Sequence, residues 1–230
     1  MAQAQALREG ISGEYRIGTI TDPVILRLGE LLSCMTSRYP DLRLILIQGI
    51  SGDVVDWVIE GRVDAGYVIG EPGGYRIAAI KVAPVTLRVV APAAWSDEIK
   101  RRDWAGIAEL PWIATPAKCS FNRLAVQMFA RHGVKPQTVV ETDQEHTLRE
   151  LVASGIGLTL LREDVALNAL AAGEVTIWEP GVEVSHLYFI FARENENSPA
   201  LQAILTAVCN VWGLSIPHNS ISGVGAPINY

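Results

Sequence analysis

The sequence predicts an α/β protein built around a largely parallel sheet. Short apolar runs rich in β-branched residues alternate with segments whose apolar residues recur at helical spacing. The chain has 230 residues, of which 49% are hydrophobic and 19% charged, so it can bury a substantial core. This length suits one large domain or two small ones, and we find no internal sequence repeat.

Residues 15–70 predict the order strand, helix, strand, helix, strand. Asp22 is placed to cap the first helix, with Pro23 at its first position. Ser51 is placed to cap the second helix, which ends at Gly61. The predicted strands cover 15–20, 42–49 and 63–70, the helices cover 22–39 and 51–61, and the buried faces comprise Val24, Leu28, Leu31, Met35, Val54, Val55, Val58 and Ile59.

Two strand-like runs, 76–82 and 85–92, then follow each other without a helix between them. The alternation therefore breaks near Pro92, where we predict a crossover into a second wound segment. In that segment Thr142 and Glu145 match a capping box, and Gly157 is predicted to let a backbone or a ligand approach closely. The remaining predicted strands cover 111–116, 137–142, 156–161, 174–178 and 186–192, and the helices cover 118–132, 142–155 and 198–212.

Charge and cysteine content exclude several classes of protein. Twenty-five acidic and 19 basic residues give a net charge of -6. The sequence has no long run of basic residues of the kind that indicates a nucleic-acid-binding surface. Three widely spaced cysteines argue against a disulfide framework and for a reducing compartment. The N-terminus lacks a signal-peptide core, and no apolar run approaches the roughly 20 residues of a membrane span. We therefore expect a cytoplasmic protein without membrane contact.

The sequence carries no convincing catalytic or metal-binding motif. "GISGD" at 49–53 resembles part of a nucleophile elbow but lacks the closing glycine, and neither G-x-G-x-x-G nor a P-loop occurs. The histidines show no metal-ligand spacing to another histidine or cysteine. We predict no catalytic residue, no metal and no cofactor.

Four strand-to-helix junctions carry hydroxyl or amide side chains, at residues 19–22, 48–51, 115–120 and 142–143. In wound sheets, ligands bind beyond the carboxyl ends of the strands, where helix N-termini present unpaired N–H groups and partial positive charge. Lys118 adds a cation there, so the junctions predict a site for a small molecule bearing a carboxylate or another anionic group. Each hydroxyl could equally serve only as a helix cap, and Lys118 could be an ordinary surface lysine.

Four segments, "GEYRIGTIT", "SRYPDLRLILIQG", "LVASGIGLTLL" and "HLYFIF" with its following helix, resemble the effector-binding domain of LysR-type transcriptional regulators over residues 7–213. The resemblance implies a periplasmic-binding-protein-like fold of type 2, in which two wound α/β subdomains are joined by two crossover strands and hold a small effector in the cleft. Subdomain I would comprise 12–92 and 186–214, and subdomain II would comprise 93–185. Residues 1–11 would end a linker helix, and 215–230 would form a flexible or lightly docked tail.

The resemblance also implies specific contacts and partners. Effector contacts are expected at Thr19, Thr21, Gln48, Ser51, Thr115, Lys118, Cys119 and Thr142. A homodimer or tetramer is expected, with pairing through the first helix and second strand, and DNA contact through an N-terminal winged helix-turn-helix absent from this chain. A solute-binding protein of a transport system, or less readily an enzyme, could share this fold. Cys119 at a helix N-terminus also invites a redox-sensing interpretation, although no resolving cysteine lies nearby in sequence.

Overall fold

A computed structural model of the protein describes residues 11–20 and 23–215. The described residues contain eight strands and eight α-helices. In chain order these are β1 (Gly13–Thr19), α1 (Leu28–Arg38), β2 (Leu42–Gln48), α2 (Ser51–Ile59), β3 (Ala65–Ile69), β4 (Ile77–Pro92), α3 (Ser96–Ile99), α4 (Trp104–Ala108), β5 (Pro111–Ala114), α5 (Ser120–Ala130), β6 (Gln137–Glu141), α6 (Glu145–Ala153), β7 (Thr159–Arg162), α7 (Glu163–Ala171), β8 (Val175–Ala192) and α8 (Pro199–Trp212).

The chain divides into two compact units. Unit 1 contains the described residues up to Ala83 and from His186 onwards, and unit 2 is Pro84–Ser185. Strands β4 and β8 each run through both units and are neighbours in the strand order. The predicted linker-helix end, through residue 10, and the predicted tail from residue 216 lie outside the described residues.

The long strand β4 joins two runs that the sequence predicts as separate strands. Only Ala83 and Pro84 lie between those runs, and neither residue favours the positive φ that a tight hairpin needs. The backbone therefore continues in extended form from Ile77 to Pro92. In the same way, the predicted strands 174–178 and 186–192 belong to one strand, β8.

Unit 1 is a wound sheet in which β1 pairs in parallel with β2 and β3, and β3 pairs antiparallel with β8. Val54 of α2 packs directly on two glycines of this sheet. A Cβ atom added at Gly66 would lie 2.4 Å from Val54 Cγ1, and one at Gly18 would lie 2.7 Å from it. The glycines therefore let α2 approach the sheet closely and fix the position of its N-terminus. The buried core around Val54 comprises Val55, Val58, Val63, Val68, Ile77, Tyr188 and Ile190.

Helix α1 begins later than predicted. Residues 23–27 form turns, and the helix starts at Leu28 after Arg27, whose backbone is left-handed with φ 50° and ψ 35°. The predicted inward residue Val24 is 79% exposed, and Leu26 is fully buried instead. The prediction for this turn was wrong because the left-handed residue separates the turn from the helix, so helical periodicity does not extend back to Val24. The predicted cap, Asp22, lies outside the described residues.

Unit 2 contains an antiparallel pair, β4 with β7, and a parallel pair, β5 with β6. The carbonyl oxygen of Pro111 would lie 2.4 Å from a Cβ atom added at Gly157, so the predicted close approach at Gly157 is confirmed and its partner is a backbone. Fully buried Phe129 of α5 packs edge-on against Trp112 of β5, with ring centroids 5.0 Å apart. This contact anchors α5 against the strand that precedes it.

A second buried cluster of unit 2 is aliphatic and includes residues of the helices α6 and α7. It comprises Val90, Ile113, Leu148, Val152, Leu161, Ala166, Ala169 and Val175. Burying each large aliphatic side chain of such a core contributes about 1.5–3 kcal/mol. Among the described residues, no helix combines the length and apolar character needed to cross a membrane.

Candidate functional site

Two strand-to-helix junctions of unit 1 lie side by side. Strands β1 and β2 are parallel and in register, so that Thr19 at the end of β1 lies opposite Gln48 at the end of β2. The backbone N–H of Gly49 donates to the carbonyl of Thr19 over 2.9 Å, which extends the pairing into the junctions. Thr19 is buried and Gln48 is exposed. The predicted contact Thr21 lies outside the described residues.

Ser51 does not cap α2 as predicted. The cap position is Ile50, and the buried Ser51 hydroxyl accepts a hydrogen bond from the backbone N–H of Ile69 over 3.2 Å. The prediction failed because the end of β3 offers Ser51 a buried N–H donor that local sequence does not reveal. The bond ties the first turn of α2 to the end of β3.

Two junctions of unit 2 also lie together. Parallel pairing of β5 and β6 places Ala114 opposite Glu141, and the N–H of Thr142 donates to the Ala114 carbonyl over 3.0 Å. Thr142 is half-buried, and Thr115 directly follows Ala114. The site residues predicted on these two junctions are therefore neighbours within the unit.

Thr115 has an unusual environment. Thr115 as a whole is 5% exposed, and its Oγ1 atom is buried without a hydrogen-bond partner among the described residues. Its carbonyl, in contrast, accepts from Asn122 Nδ2 over 2.5 Å, which holds the junction against the first turn of α5. A buried hydroxyl without a partner costs about 1–3 kcal/mol, so an unpaired group of this kind calls for an explanation.

Helix α5 points its N-terminus at the same junction. Cys119 occupies the cap position without a side-chain capping bond, and the first N–H bonded inside the helix is that of Arg123, to the Cys119 carbonyl. Helix N-termini carry partial positive charge and N–H groups with no acceptor within the helix. Lys118 is exposed one residue before the cap. The buried hydroxyl and the helix terminus together favour an anion.

The predicted capping box of Thr142 and Glu145 is absent, because α6 is capped by Gln144 without a side-chain bond. Glu145 instead accepts from the Arg162 backbone N–H over 3.2 Å and pairs with the Arg162 guanidinium over 3.3 Å. The Arg162 side chain is only 5% exposed, and a buried charge is costly unless a carboxylate pairs with it. Glu145 therefore pairs with Arg162 and does not take part in a capping box. This pair attaches the first turn of α6 to β7.

The cysteines differ in environment. Cys119 and Cys209 are buried and Cys34 is half-buried, and all three are free. Burial raises the pKa of the Cys209 thiol. Within residues 11–20 and 23–215, no group of three or more histidine, cysteine or acidic side chains could hold a metal ion.

Sequence reasoning missed two residues that shape the site in unit 2, Asn122 and Arg162. Asn122 lies in the first turn of α5, where asparagine often bonds to nearby backbone, so local sequence carried a weak signal. Arg162 had no such signal, because its partner Glu145 is distant in sequence.

Solved structures of similar shape share this architecture. The effector binding domain of QuiR in complex with shikimate aligns with a TM-score of 0.73 at 16% identity, over 88% of this chain and 98% of that one. The Synechocystis PCC6803 CcmR regulatory domain in complex with 2-PG aligns with a TM-score of 0.70 at 17% identity, over 87% of this chain and 98% of that one. The predicted class, a periplasmic-binding-protein-like α/β fold, is confirmed.

Sequence comparison shows the family. Residues 8–212 match the LysR substrate binding domain, and the chain belongs to this family. The HTH-type transcriptional regulator CbbR of Rhodospirillum rubrum is 22% identical over 204 residues, covering 87% of this chain and 67% of that protein. The HTH-type transcriptional regulator IlvR of Caulobacter vibrioides is 25% identical over 211 residues, covering 89% of this chain and 70% of that protein. The resemblance predicted from the sequence is thus confirmed.

Proposed function

We propose that this LysR substrate-binding domain senses a small organic anion at its strand-to-helix junctions. The unpaired, buried hydroxyl of Thr115 at the N-terminus of α5 carries this proposal. A ligand oxygen at this position would give the hydroxyl its missing partner and would interact favourably with the helix terminus. The proposed contacts are Thr19, Thr21, Gln48 and Ser51 in unit 1 and Thr115, Lys118, Cys119 and Thr142 in unit 2.

Charge distinguishes the proposed ligand from other small molecules. A hydrogen bond to a charged group contributes about 1.5–3 kcal/mol, roughly twice the value for a neutral pair. The structural relatives solved with shikimate and with 2-PG support a small-molecule ligand in this fold.

Calorimetric titration of the protein with small organic acids, each matched with its primary amide, tests the proposal. We expect at least one acid to bind, and its amide to bind about tenfold more weakly or not at all. Binding confined to neutral or cationic compounds would contradict an anionic effector.

We propose that ligand binding alters the output of a transcriptional regulator. The ligand would bind one conformation of the sensing domain better than another, and that preference would be transmitted to a DNA-binding domain of the same regulator. The net charge of -6 supports this division of roles, because these 230 residues have no strongly basic character of their own.

We further propose that two copies of the domain pair through α1 and β2. Strand β2 is an end strand of the described strand order, and Leu46 on it is 41% exposed. An edge strand with exposed aliphatic side chains favours association with another chain. Sedimentation velocity is expected to show a dimer that Leu46→Lys weakens, whereas a monomer at every concentration would refute the pairing.

A further inference from the structure

Unit 1 has a surface pocket of about 320 Å³ at the end of α2 opposite the proposed effector contacts. Ser51 begins α2 and Ile59 ends it, so the pocket lies roughly 12 Å along the helix from the Ser51 junction. The pocket is lined by Ile59, Tyr75, Arg76, Ala192, Arg193 and Glu194.

Two guanidinium groups of the pocket are held in place by backbone carbonyls. Arg76 Nη2 donates to the carbonyl of Ile59, the last residue of α2, over 3.3 Å. Arg193 donates from Nε to the Tyr75 carbonyl and from Nη2 to the Ile77 carbonyl, each over 3.2 Å. Two carbonyl acceptors orient Arg193 and one orients the exposed Arg76, and these acceptors do not neutralise the charge of either guanidinium.

Neither guanidinium forms an ion pair with a carboxylate of the described residues. Each arginine has five N–H donors in a planar fork, and these bonds use one at Arg76 and two at Arg193. Glu194 is the one acidic residue of the lining and is exposed. The lining thus carries two positive charges and one negative charge, with N–H donors remaining on both arginines.

Apolar surface completes the pocket. Ile59 and Ala192 contribute aliphatic walls, and the Tyr75 residue is 87% exposed beside them. The exposed ring of Tyr75 offers a flat face on which an aromatic or other flat ligand can stack. The volume of about 320 Å³ falls at the small end of the range of roughly 300–1,000 Å³ for ligand pockets.

We propose that this pocket is a second ligand site, which binds a small organic carboxylate with a flat apolar body. The carboxylate would bind the remaining donors of Arg76 and Arg193, and the apolar body would lie against Tyr75 and Ile59. This site is separate from the proposed effector contacts and does not depend on them. Arginine forks match the geometry of carboxylates and of phosphates, and the apolar walls of the pocket favour an organic carboxylate over inorganic phosphate.

Two-dimensional ¹⁵N NMR of the whole chain, with benzoate as the probe and benzamide as its neutral counterpart, tests the proposal. Benzoate is expected to shift the amide signals of Tyr75, Arg76, Arg193 and Glu194 in a saturable manner, and benzamide is expected to shift them little. Arg76→Gln should weaken benzoate binding about tenfold, because it removes one charged donor group. Glu194→Gln should tighten the binding, because it removes the one negative charge of the lining.

Two control variants distinguish binding at this pocket from a general effect of removing a positive charge and from binding at the proposed effector contacts. Arg38→Gln makes the same charge change on exposed Arg38 at the end of α1, and Thr115→Val removes the hydroxyl of the proposed effector site. Both variants are expected to bind benzoate at the pocket as the wild type does. The proposal is overturned if the four amides do not shift, if benzamide shifts them equally, or if Arg76→Gln and Arg38→Gln bind benzoate equally.

Discussion

At the scale of single residues, Gly157 is required by a neighbouring backbone. The Pro111 carbonyl occupies the position that a side chain at residue 157 would need, and the Leu158 N–H donates to that carbonyl over 2.8 Å. A backbone group in a paired strand cannot move aside as a flexible side chain can.

Gly157→Ala is therefore expected to lower the free energy of unfolding by about 1–3 kcal/mol, the range typical of overpacking. Gly29→Ala is the matched control, since an added Cβ in α1 meets nothing within 4 Å. That control should raise stability by about 0.5–1 kcal/mol, because alanine favours helix over glycine. Urea denaturation measures both changes, and equal stabilities for the two variants would contradict the close approach.

The surroundings of His186 in unit 1 lower the pKa of its side chain. Burial lowers the pKa of the imidazole, the positive charge of Lys81 lowers it further, and Glu71 partly opposes both effects. The unfolded chain therefore takes up this proton at a higher pH than the native protein. As the pH falls through the ordinary value of 6.5 towards the lowered native pKa, the unfolded state binds more protons and stability is lost.

His186→Gln is expected to reduce the loss of stability between about pH 7.5 and pH 5.5, because glutamine does not titrate. Urea unfolding of both proteins at the two pH values measures the difference. If the variant loses as much stability as the wild type, or more, the burial of the imidazole is not what governs its titration.

For the predicted site residues, the position in the fold could be predicted better than the role of the side chain. Thr115 and Thr142 follow strands, so their places at the ends of a wound sheet could be predicted. Their hydrogen bonds were less predictable, because Asn122 gave only a weak local signal and Ala114 lies opposite the end of β6 only in the folded unit. The capping roles predicted for Ser51 and Thr142 failed for the same reason.

At the scale of elements, Arg27 determines where α1 begins and connects it to α8. Its guanidinium forms a two-point pair with Glu30, donates to the Val211 carbonyl over 2.5 Å, and lies 5.5 Å from the Trp212 ring centroid. Arg27 is also the only non-glycine residue with positive φ among the described residues. The contacts with α8 thus help to offset an unfavourable backbone conformation.

Two substitutions distinguish the loss of the Arg27 side-chain contacts from the cost of its left-handed backbone. Arg27→Ala is expected to lower the free energy of unfolding by about 1–2 kcal/mol, because the side-chain contacts are lost and the left-handed backbone remains costly. Arg27→Gly loses the same contacts but adopts this backbone without steric cost, so it should be about 1 kcal/mol more stable than Arg27→Ala. Thermal unfolding ranks the two variants, and the reverse order would show that Arg27 bears no backbone strain.

Helical and strand periodicity predicted most elements, because the spacing of buried residues follows from local geometry. Leu28, Leu31 and Met35 are buried on α1 as expected. Helix beginnings were less predictable. The turn before α1 depends on Arg27 and its contacts with α8, which is distant in sequence, and the start of α6 depends on Arg162.

At the scale of the whole molecule, the fold could be predicted from alternating βα units and from the break in that alternation. The break in the alternation arises because β4 and β8 are long strands. Each of them continues in extended form where the alternation would place a helix. The sequence did not show that each pair of runs forms a single strand, because a break between two apolar runs resembles a turn.

One substitution at Thr115 is expected to have opposite effects on stability and on ligand binding. Thr115→Val removes a buried hydroxyl that has no partner among the described residues, so the ligand-free protein should be at least as stable as the wild type. If the effector uses that hydroxyl, the same variant should bind it more weakly, whereas Thr115→Ser should keep most of the affinity.

The most direct test is a calorimetric titration of wild type, Thr115→Val and Thr115→Ser with the organic acid that binds the wild type most tightly. We predict an affinity about tenfold lower for Thr115→Val and close to the wild-type value for Thr115→Ser. Equal affinities for wild type and Thr115→Val would contradict the claim that the N-terminus of α5 holds the effector.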